Sequence, residues 1–152
     1  MRGFFYFYSM IRNILSIIVG LLIAIVVMQL IQILGHLMYP PPIDIDVTDP
    51  EAIKQYVSSS PTIVFVIVIL SYALGSFFGA FVSTFIAKEK HIPHAINIGG
   101  VLMGLGAINL FTIPHPTWMI VISLIVFLPF AYFGGWLGLR IKAKRHSNKT
   151  SD

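Results

Sequence analysis

The chain has 152 residues, of which 57% are hydrophobic and 11% charged, and its formal net charge is +4. This composition is too apolar for a soluble domain with one core, and the chain is too short to form a large membrane assembly alone. Because it contains no cysteine, disulfides, thiolate nucleophiles and cysteine-ligated metals are excluded. The composition predicts one all-α integral membrane domain over residues 1–152.

Stretches without Asp, Glu, Lys or Arg define the predicted spans. A transmembrane helix needs about 20 apolar residues, and residues 13–43 and 55–87 each have the length for one crossing. Residues 91–139 are roughly twice that length, so they must fold back within the bilayer. The sequence predicts an antiparallel four-helix transmembrane bundle, with spans at about 14–38, 61–87, 93–113 and 117–139.

The loop after the first span, residues 39–60, is predicted to contain a short surface helix outside the membrane. Prolines 40–42 end the first span, because they remove backbone donors. Thr48 or Asp49 suits the N-cap position and Pro50 the first helical position. The predicted apolar face of this helix consists of Ile53, Tyr56 and Val57.

The remaining boundaries follow from serine and proline positions. Ser60 is the expected cap of the second span, with Pro61 as its first helical residue. Two prolines in residues 114–116 disfavour helix and predict a tight turn between the third and fourth spans. Pro129 is expected to bend the fourth span, which a basic tail, residues 140–152, follows.

The basic residues predict the orientation. Every Lys and Arg except Lys54 lies before the first span, between the second and third, or after the fourth. By the positive-inside rule both termini are cytoplasmic, and the loop 39–60 and the turn 114–116 lie outside. The basic residues are expected to meet lipid head groups of the bilayer rather than nucleic acid.

Small residues recur at helical spacing and form candidate packing faces. They are Ser71, Gly75, Gly79 and Ser83 in the second span, Gly100 and Gly104 in the third, and Ala131, Gly134, Gly135 and Gly138 in the fourth. Lipid gives helices no hydrophobic reason to associate, so small side chains provide close packing instead. We expect packing within the chain, with contacts to a second copy or to another membrane protein as the alternative.

A polar stripe marks the outer half of the first span. Gln29, Gln32 and His36 share one helical face, and Asn109 and His115 are expected at a similar depth. Polar groups within a membrane face protein or water rather than lipid. The stripe predicts an outer polar pocket, and the alternative is hydrogen bonding between helices.

Catalytic and metal-binding patterns are weak. His36 and His115, with Asp44, Asp46 or Glu51, have the side-chain types of a zinc site, but their spacing matches no metal motif. No nucleophile or nucleotide-binding motif occurs, and no predicted span contains a carboxylate, Lys or Arg for acid–base chemistry. We expect no cofactor, no bound metal and no enzymatic activity.

Two short motifs carry a resemblance: GHLMYPPP at residues 35–42 and IPHPTW at residues 113–118. With the stretch 49–52, Gly75-x-x-x-Gly79 and the later Gly134-Gly135, residues 11–139 resemble a group of small bacterial four-span membrane proteins. The resemblance implies the same fold in the bacterial cytoplasmic membrane and implies no activity, cofactor or substrate. Gln32 stands where many similar sequences are expected to have Glu, which argues against carboxylate-dependent activity.

These patterns favour a non-catalytic structural or accessory membrane protein, or a subunit of a larger membrane assembly. The alternative is a small oligomeric channel or carrier whose path is lined by Gln29, Gln32, His36 and Asn109. A membrane-embedded enzyme using His36 or His115 would have to work without an intramembrane acid.

Overall fold

The computed structural model describes residues 2–41, 45, 46, 48–87 and 91–149. Within these residues the chain forms five helices and no strand: α1 (Arg2–Met38), α2 (Pro50–Ser59), α3 (Thr62–Ile86), α4 (His91–Thr112) and α5 (Thr117–Lys149). All but α2 are long and apolar enough to cross a membrane. The predicted all-α, four-span architecture is confirmed, and the chain is a multi-pass membrane protein.

The first and last transmembrane helices are longer than predicted. α1 already begins at Arg2, before the expected start near residue 14, and α5 continues to Lys149, beyond residue 139. Neither extension contains a proline, and the Lys, Arg and Ala residues of the second favour helix. The aromatic N-terminal segment and the basic tail therefore continue the two helices as far as the structure describes them.

The short helix α2 forms where the loop predicted it. The Asp49 carboxylate accepts the Glu51 backbone N–H at 3.0 Å, and Pro50 occupies the first turn. Val57 is buried, while Ile53 and Tyr56 pack partly buried against the core. The predicted cap and the predicted apolar face of α2 are both confirmed.

The expected start of α3 is wrong by one residue. Pro61 is the N-cap residue and has no side-chain cap hydrogen bond. The Ser60 hydroxyl instead donates to the Tyr56 carbonyl at 2.8 Å. Ser60 thus satisfies a carbonyl at the end of α2, which leaves α3 without a side-chain cap.

α3 is the central helix, and α1 packs along it in the opposite direction. The Gln32 amide donates to the Ser71 hydroxyl at 3.1 Å, and the Arg12 guanidinium donates to the Ile86 carbonyl at 3.1 Å. Residue numbers fall along α1 as they rise along α3, which is the antiparallel relation expected for successive spans.

α5 packs against α3 in the same direction. The Phe65 and Trp118 rings meet edge to face at 6.0 Å, and the Tyr72 and Phe127 rings stack at 5.1 Å. In the described residues the backbones of α1 and α5 each pack against α3 and not against one another, and α4 packs on α5, on α3 and, less extensively, on α1. The helices that pack most closely are therefore not always consecutive in the chain.

Small residues bring α1 and α3 together, as their spacing predicted. Ser71, Gly75, Gly79 and Ser83 are all buried. A Cβ on Gly79 would lie 2.7 Å from the Ala24 Cβ and from the Gly20 carbonyl oxygen of α1. Close approach of the two backbones requires glycine at this crossing.

The small residues of α5 face α3 and α4. A Cβ on Gly134 would collide with the Phe77 carbonyl, and one on Gly138 would lie 2.8 Å from the Phe81 carbonyl oxygen. Gly135 faces Ala95 of α4, and Ala131 is fully buried. Intramolecular packing accounts for all four.

The packing predicted within the chain for Gly100 and Gly104 is wrong. A Cβ on either would meet no atom within 4 Å, whereas one on Gly99 would lie 2.9 Å from the Ala131 Cβ. Gly106 likewise faces the Phe127 ring. One residue along a helix is a rotation of about 100°, so α4 turns a different face to α5 than predicted.

The two ends of the bundle differ. One end, which we name the cavity end because a cavity lies there, comprises α2, the start of α3 and the turn 113–116. It is the end predicted to lie outside. The basic end comprises the end of α3, Arg12 of α1 and the last turns of α5 from Arg140 onward. Between them, large side chains such as Leu22, Ile108 and Phe111 are more than half exposed on the helix surfaces, as lipid-facing positions require.

Candidate functional site

A cavity of about 540 Å³ lies at the cavity end of the bundle. Side chains of α1, α2, α3, α4, α5 and the turn 113–116 line it, with Ile53, Tyr56 and Val57 of α2 on one side. Its volume falls within the range of about 300 to 1,000 Å³ that is typical of small-molecule sites. This cavity is the candidate functional site.

Four of the five predicted polar residues line the cavity: Gln32, His36, Asn109 and His115. Gln29 does not, and its side chain is exposed. Met28, one residue earlier, contacts Gly75 of α3, and a step of about 100° turns Gln29 away from that contact. The structure therefore brings together residues from α1, α4 and the turn 113–116, without Gln29.

Two of these polar residues have fixed hydrogen bonds. The Gln32 amide donates to the Ser71 hydroxyl at 3.1 Å, which in turn donates to the Val68 carbonyl at 2.7 Å. The His115 Nδ1 lies 2.9 Å from the Ile113 carbonyl oxygen. Because a carbonyl only accepts, Nδ1 carries the proton, and in the neutral ring Nε2 is left as a hydrogen-bond acceptor.

The cavity exists because α3 changes composition along its length. Residues 62–70 are mostly large and branched, whereas residues 71–84 include many small side chains. Large side chains hold neighbouring backbones apart and small ones let them approach. The bundle is therefore open at the cavity end and closed beyond it.

α2 covers the cavity without closing on it. In the described part of the chain, no α-carbon of α2 lies within 8 Å of an α-carbon in another helix. Only its side chains, chiefly Ile53, Tyr56 and Val57, reach the core. The apolar face of α2 was predicted, but not that it borders a cavity.

Sequence reasoning also missed Tyr72 and Phe65 as lining residues. Both are 7% exposed, and Tyr72 stacks on Phe127 while Phe65 packs against Trp118. Periodicity places both on buried faces of α3, but it does not distinguish a core aromatic from one that borders a void.

The carboxylates of the loop are engaged locally. The hydroxyl and backbone N–H of Thr48 donate to the Asp46 carboxylate, and these hydrogen bonds lower the pKa of Asp46. Asp49 caps α2, and Glu51 pairs with Lys54 at 3.6 Å on the surface. None of these residues lines the cavity.

The metal-site alternative finds little support. Among the described residues, no three His, Asp or Glu side chains are grouped to hold an ion. His36 and His115 both line the cavity, whereas Asp46 and Glu51 do not, and Asp44 lies outside the described residues. Since the described lining also contains no Lys or Arg, the site suits neutral groups that exchange hydrogen bonds.

Comparison with known proteins does not assign this chain to a family. No protein-family model, curated protein or solved structure matches the chain. A fold alone does not define a function, so the function has to be inferred from the cavity and the surfaces of this molecule.

Proposed function

We propose that this protein is a non-catalytic accessory membrane protein that binds a small molecule in its cavity. The proposed ligand has an apolar body and one uncharged hydrogen-bonding group. The cavity carries this proposal: it measures about 540 Å³, and its described lining contains no Asp, Glu, Lys or Arg.

The lining defines the chemical class of the ligand. Most of it is aliphatic or aromatic, including Ile53, Phe65 and Val68, and such walls favour an apolar body. Asn109 and the Nε2 of His115 offer a donor and an acceptor for one polar group. At about 30 Å³ for each water, the volume equals roughly 18 water molecules.

The two motifs that carry the resemblance to other small bacterial membrane proteins meet at this cavity. His36 and Pro41 come from the first motif, and Ile113 and His115 from the second. We propose that this protein belongs to that group. The other chains that carry both motifs would then share the proposed binding role.

The closed half of the bundle bears on the channel and carrier alternative. Beyond the cavity, Phe127 and Ile98 are almost fully buried, and the glycines of α3 and α5 bring the backbones together. This close packing argues against a polar path through one copy. A carrier would have to move α1 or α5 relative to α3, whereas a binding protein needs no such movement.

The binding proposal is tested with a brominated ligand and one tryptophan. Trp136→Phe leaves Trp118, whose ring contacts the cavity-lining Phe65, as the only tryptophan. We expect 12-bromododecanol to quench Trp118 saturably in the full-length protein. Adding Val68→Phe, which places a larger side chain in the cavity, should weaken binding by about tenfold or more, since each 1.4 kcal/mol is tenfold in affinity.

Val66→Phe is the matched control, because Val66 lies on the same helix but is exposed and does not line the cavity. It should leave the affinity unchanged. Quenching that does not saturate, or that is equal in the two valine variants, would contradict the proposal, because it would report only general contact with lipid-facing surface.

A further inference from the structure

Two basic side chains from different helices meet the end of α3 at the basic end. The Nε of Arg12 in α1 donates to the Ile86 carbonyl at 3.1 Å. The ammonium group of Lys142 in α5 donates to the Ala87 carbonyl. Both side chains are half-buried, so α1 and α5 hold two cations at one helix terminus.

The positive charge at this place exceeds what the helix can compensate. A helix C-terminus carries the equivalent of about half a negative charge, whereas Arg12 and Lys142 carry one full positive charge each and repel one another. The carboxylates within the described ranges, Asp46, Asp49 and Glu51, all belong to the other end of the bundle. Among the described residues, an excess of positive charge therefore remains beside α3.

Hydrogen-bond donors also remain available. Arg12 uses only Nε in its bond to Ile86, so its two terminal amino groups find no protein acceptor in the described part of the chain. A lysine ammonium has three donors, and Lys142 uses one. A guanidinium beside an ammonium can bind a phosphate through several charge-assisted hydrogen bonds.

The position of these residues matches the level of lipid head groups. The Arg140 guanidinium lies 3.8 Å above the Trp136 ring, and tryptophans are enriched at membrane–water interfaces. Lys142 lies about 9 Å along the helix axis from Trp136, at 1.5 Å for each residue. The two cations are thus within a head group's reach of the hydrocarbon boundary.

We propose that Arg12 and Lys142 together bind the phosphate group of an anionic phospholipid at the end of α3. Lipid acyl chains would lie along the exposed apolar surfaces of the neighbouring helices. This site is separate from the cavity, which lies at the opposite end of the bundle.

Native mass spectrometry of the full-length protein, released from mild detergent with added phosphatidylglycerol or phosphatidylcholine, tests this site. The wild type should retain phosphatidylglycerol in preference to phosphatidylcholine. One charge near a membrane surface contributes about fivefold in affinity. Arg12→Gln or Lys142→Gln should each weaken phosphatidylglycerol binding by about that factor, and the double variant by roughly 25-fold.

Arg140→Gln is the matched control, since it removes a charge at the same end from a residue whose guanidinium lies over the Trp136 ring. It should change the affinity by less than about twofold. The charge-conserving double variant Arg12→Lys with Lys142→Arg should retain binding, and circular dichroism verifies that every variant is folded.

Three outcomes would overturn the proposal. The first is phosphatidylglycerol binding that the double glutamine variant retains in full. The second is an equal loss in Arg140→Gln, which would indicate diffuse attraction to all basic residues. In the third, inorganic phosphate alone binds the wild type with the same dependence on Arg12 and Lys142 and displaces the lipid, which would identify a soluble anion as the ligand.

Discussion

The two halves of α3 pack differently, although they belong to one uninterrupted helix. From residue 71 onward, small side chains bring α1 and α5 against it, and Gly79 and Gly134 leave no room for a methyl group. From residue 62 to residue 70 the side chains are large, and a cavity of about 540 Å³ remains beside them. Side-chain volume along α3 therefore decides where this bundle is closed and where it is open.

This difference has a functional meaning in a membrane. Helices in lipid gain little from burying apolar surface, so an unpacked region is not closed by the hydrophobic effect. A void can then persist beside a tightly packed region of the same helix. The protein needs no separate domain to create a binding cavity, only a change of residue size along one span.

The largest expected effect comes from adding one methyl group in the closed half. Gly134→Ala places a Cβ against the Phe77 backbone carbonyl, which cannot move aside without separating α3 from α5. Overpacking of this kind should lower the free energy of unfolding by about 3 kcal/mol. Unfolding in mixed detergent micelles, followed by circular dichroism, measures the change.

Gly104→Ala provides the comparison, because a Cβ at this position meets no atom within 4 Å. Replacing an unhindered helical glycine by alanine should raise stability by up to about 1 kcal/mol. Equal effects of the two substitutions would show that the packing difference described for α4 and α5 is incorrect.

A smaller, local effect is expected from the cap of α2. Asp49→Ala removes the acceptor for the Glu51 N–H and should destabilise α2 by about 1 kcal/mol. Hydrogen exchange at residues 51–53 should speed up about fivefold, while exchange in α3 stays unchanged. Asp46→Ala is the control, since Asp46 bonds Thr48 and not α2; faster exchange of α2 in both variants would contradict a specific role for the cap.

The smallest effect concerns the hydrogen bond at the boundary between the open and closed halves. Gln32→Leu removes the bond to the Ser71 hydroxyl, and such bonds between membrane helices contribute about 0.6 kcal/mol on average. Unfolding in mixed detergent micelles measures this change too. Gln29→Leu, at an exposed position on the same helix, should leave the free energy of unfolding unchanged. A larger loss of stability at Gln29 than at Gln32 would contradict the inference that Gln32, and not Gln29, bonds α3.

Much of the fold could be predicted because charge is excluded from hydrocarbon. Runs without Asp, Glu, Lys or Arg located all four spans, and cap chemistry located α2 with Asp49 at its start. The neighbours of each helix could not be predicted in the same way. Small faces on three spans are compatible with several arrangements, and the sequence does not indicate that parallel α3 and α5 pack together through Gly134 and Phe77.

The face of α4 shows where this reasoning failed. Asn97 shares the helical face of Gly100 and Gly104, the face that their spacing predicted to pack within the chain. Asn97 is instead exposed, and the buried side of α4 includes Ile98 and Gly99. Close packing of Gly99 against Ala131 and of Gly106 against Phe127 therefore sets the rotation of α4, although it leaves the Asn97 amide exposed.

The candidate site was predicted in its polar residues and not in its shape. Spacing and depth sufficed to associate Gln32, His36, Asn109 and His115, since each lies near the same end of its span. The volume depends on how far α2 stands from the bundle and on the bulk of residues 62–70. Neither quantity follows from periodicity alone.

The parallel pairing of α3 with α5 also constrains how the chain is made. During synthesis α3 leaves the ribosome before α4 and α5, so its second flank, with Phe77 and Phe81, initially has no protein partner. The final hairpin, α4 and α5, must enter the bilayer and pack against α3, which is already inserted. Assembly of this protein is completed only at its last span, and a chain that stops after α4 lacks the glycines that seal the bundle.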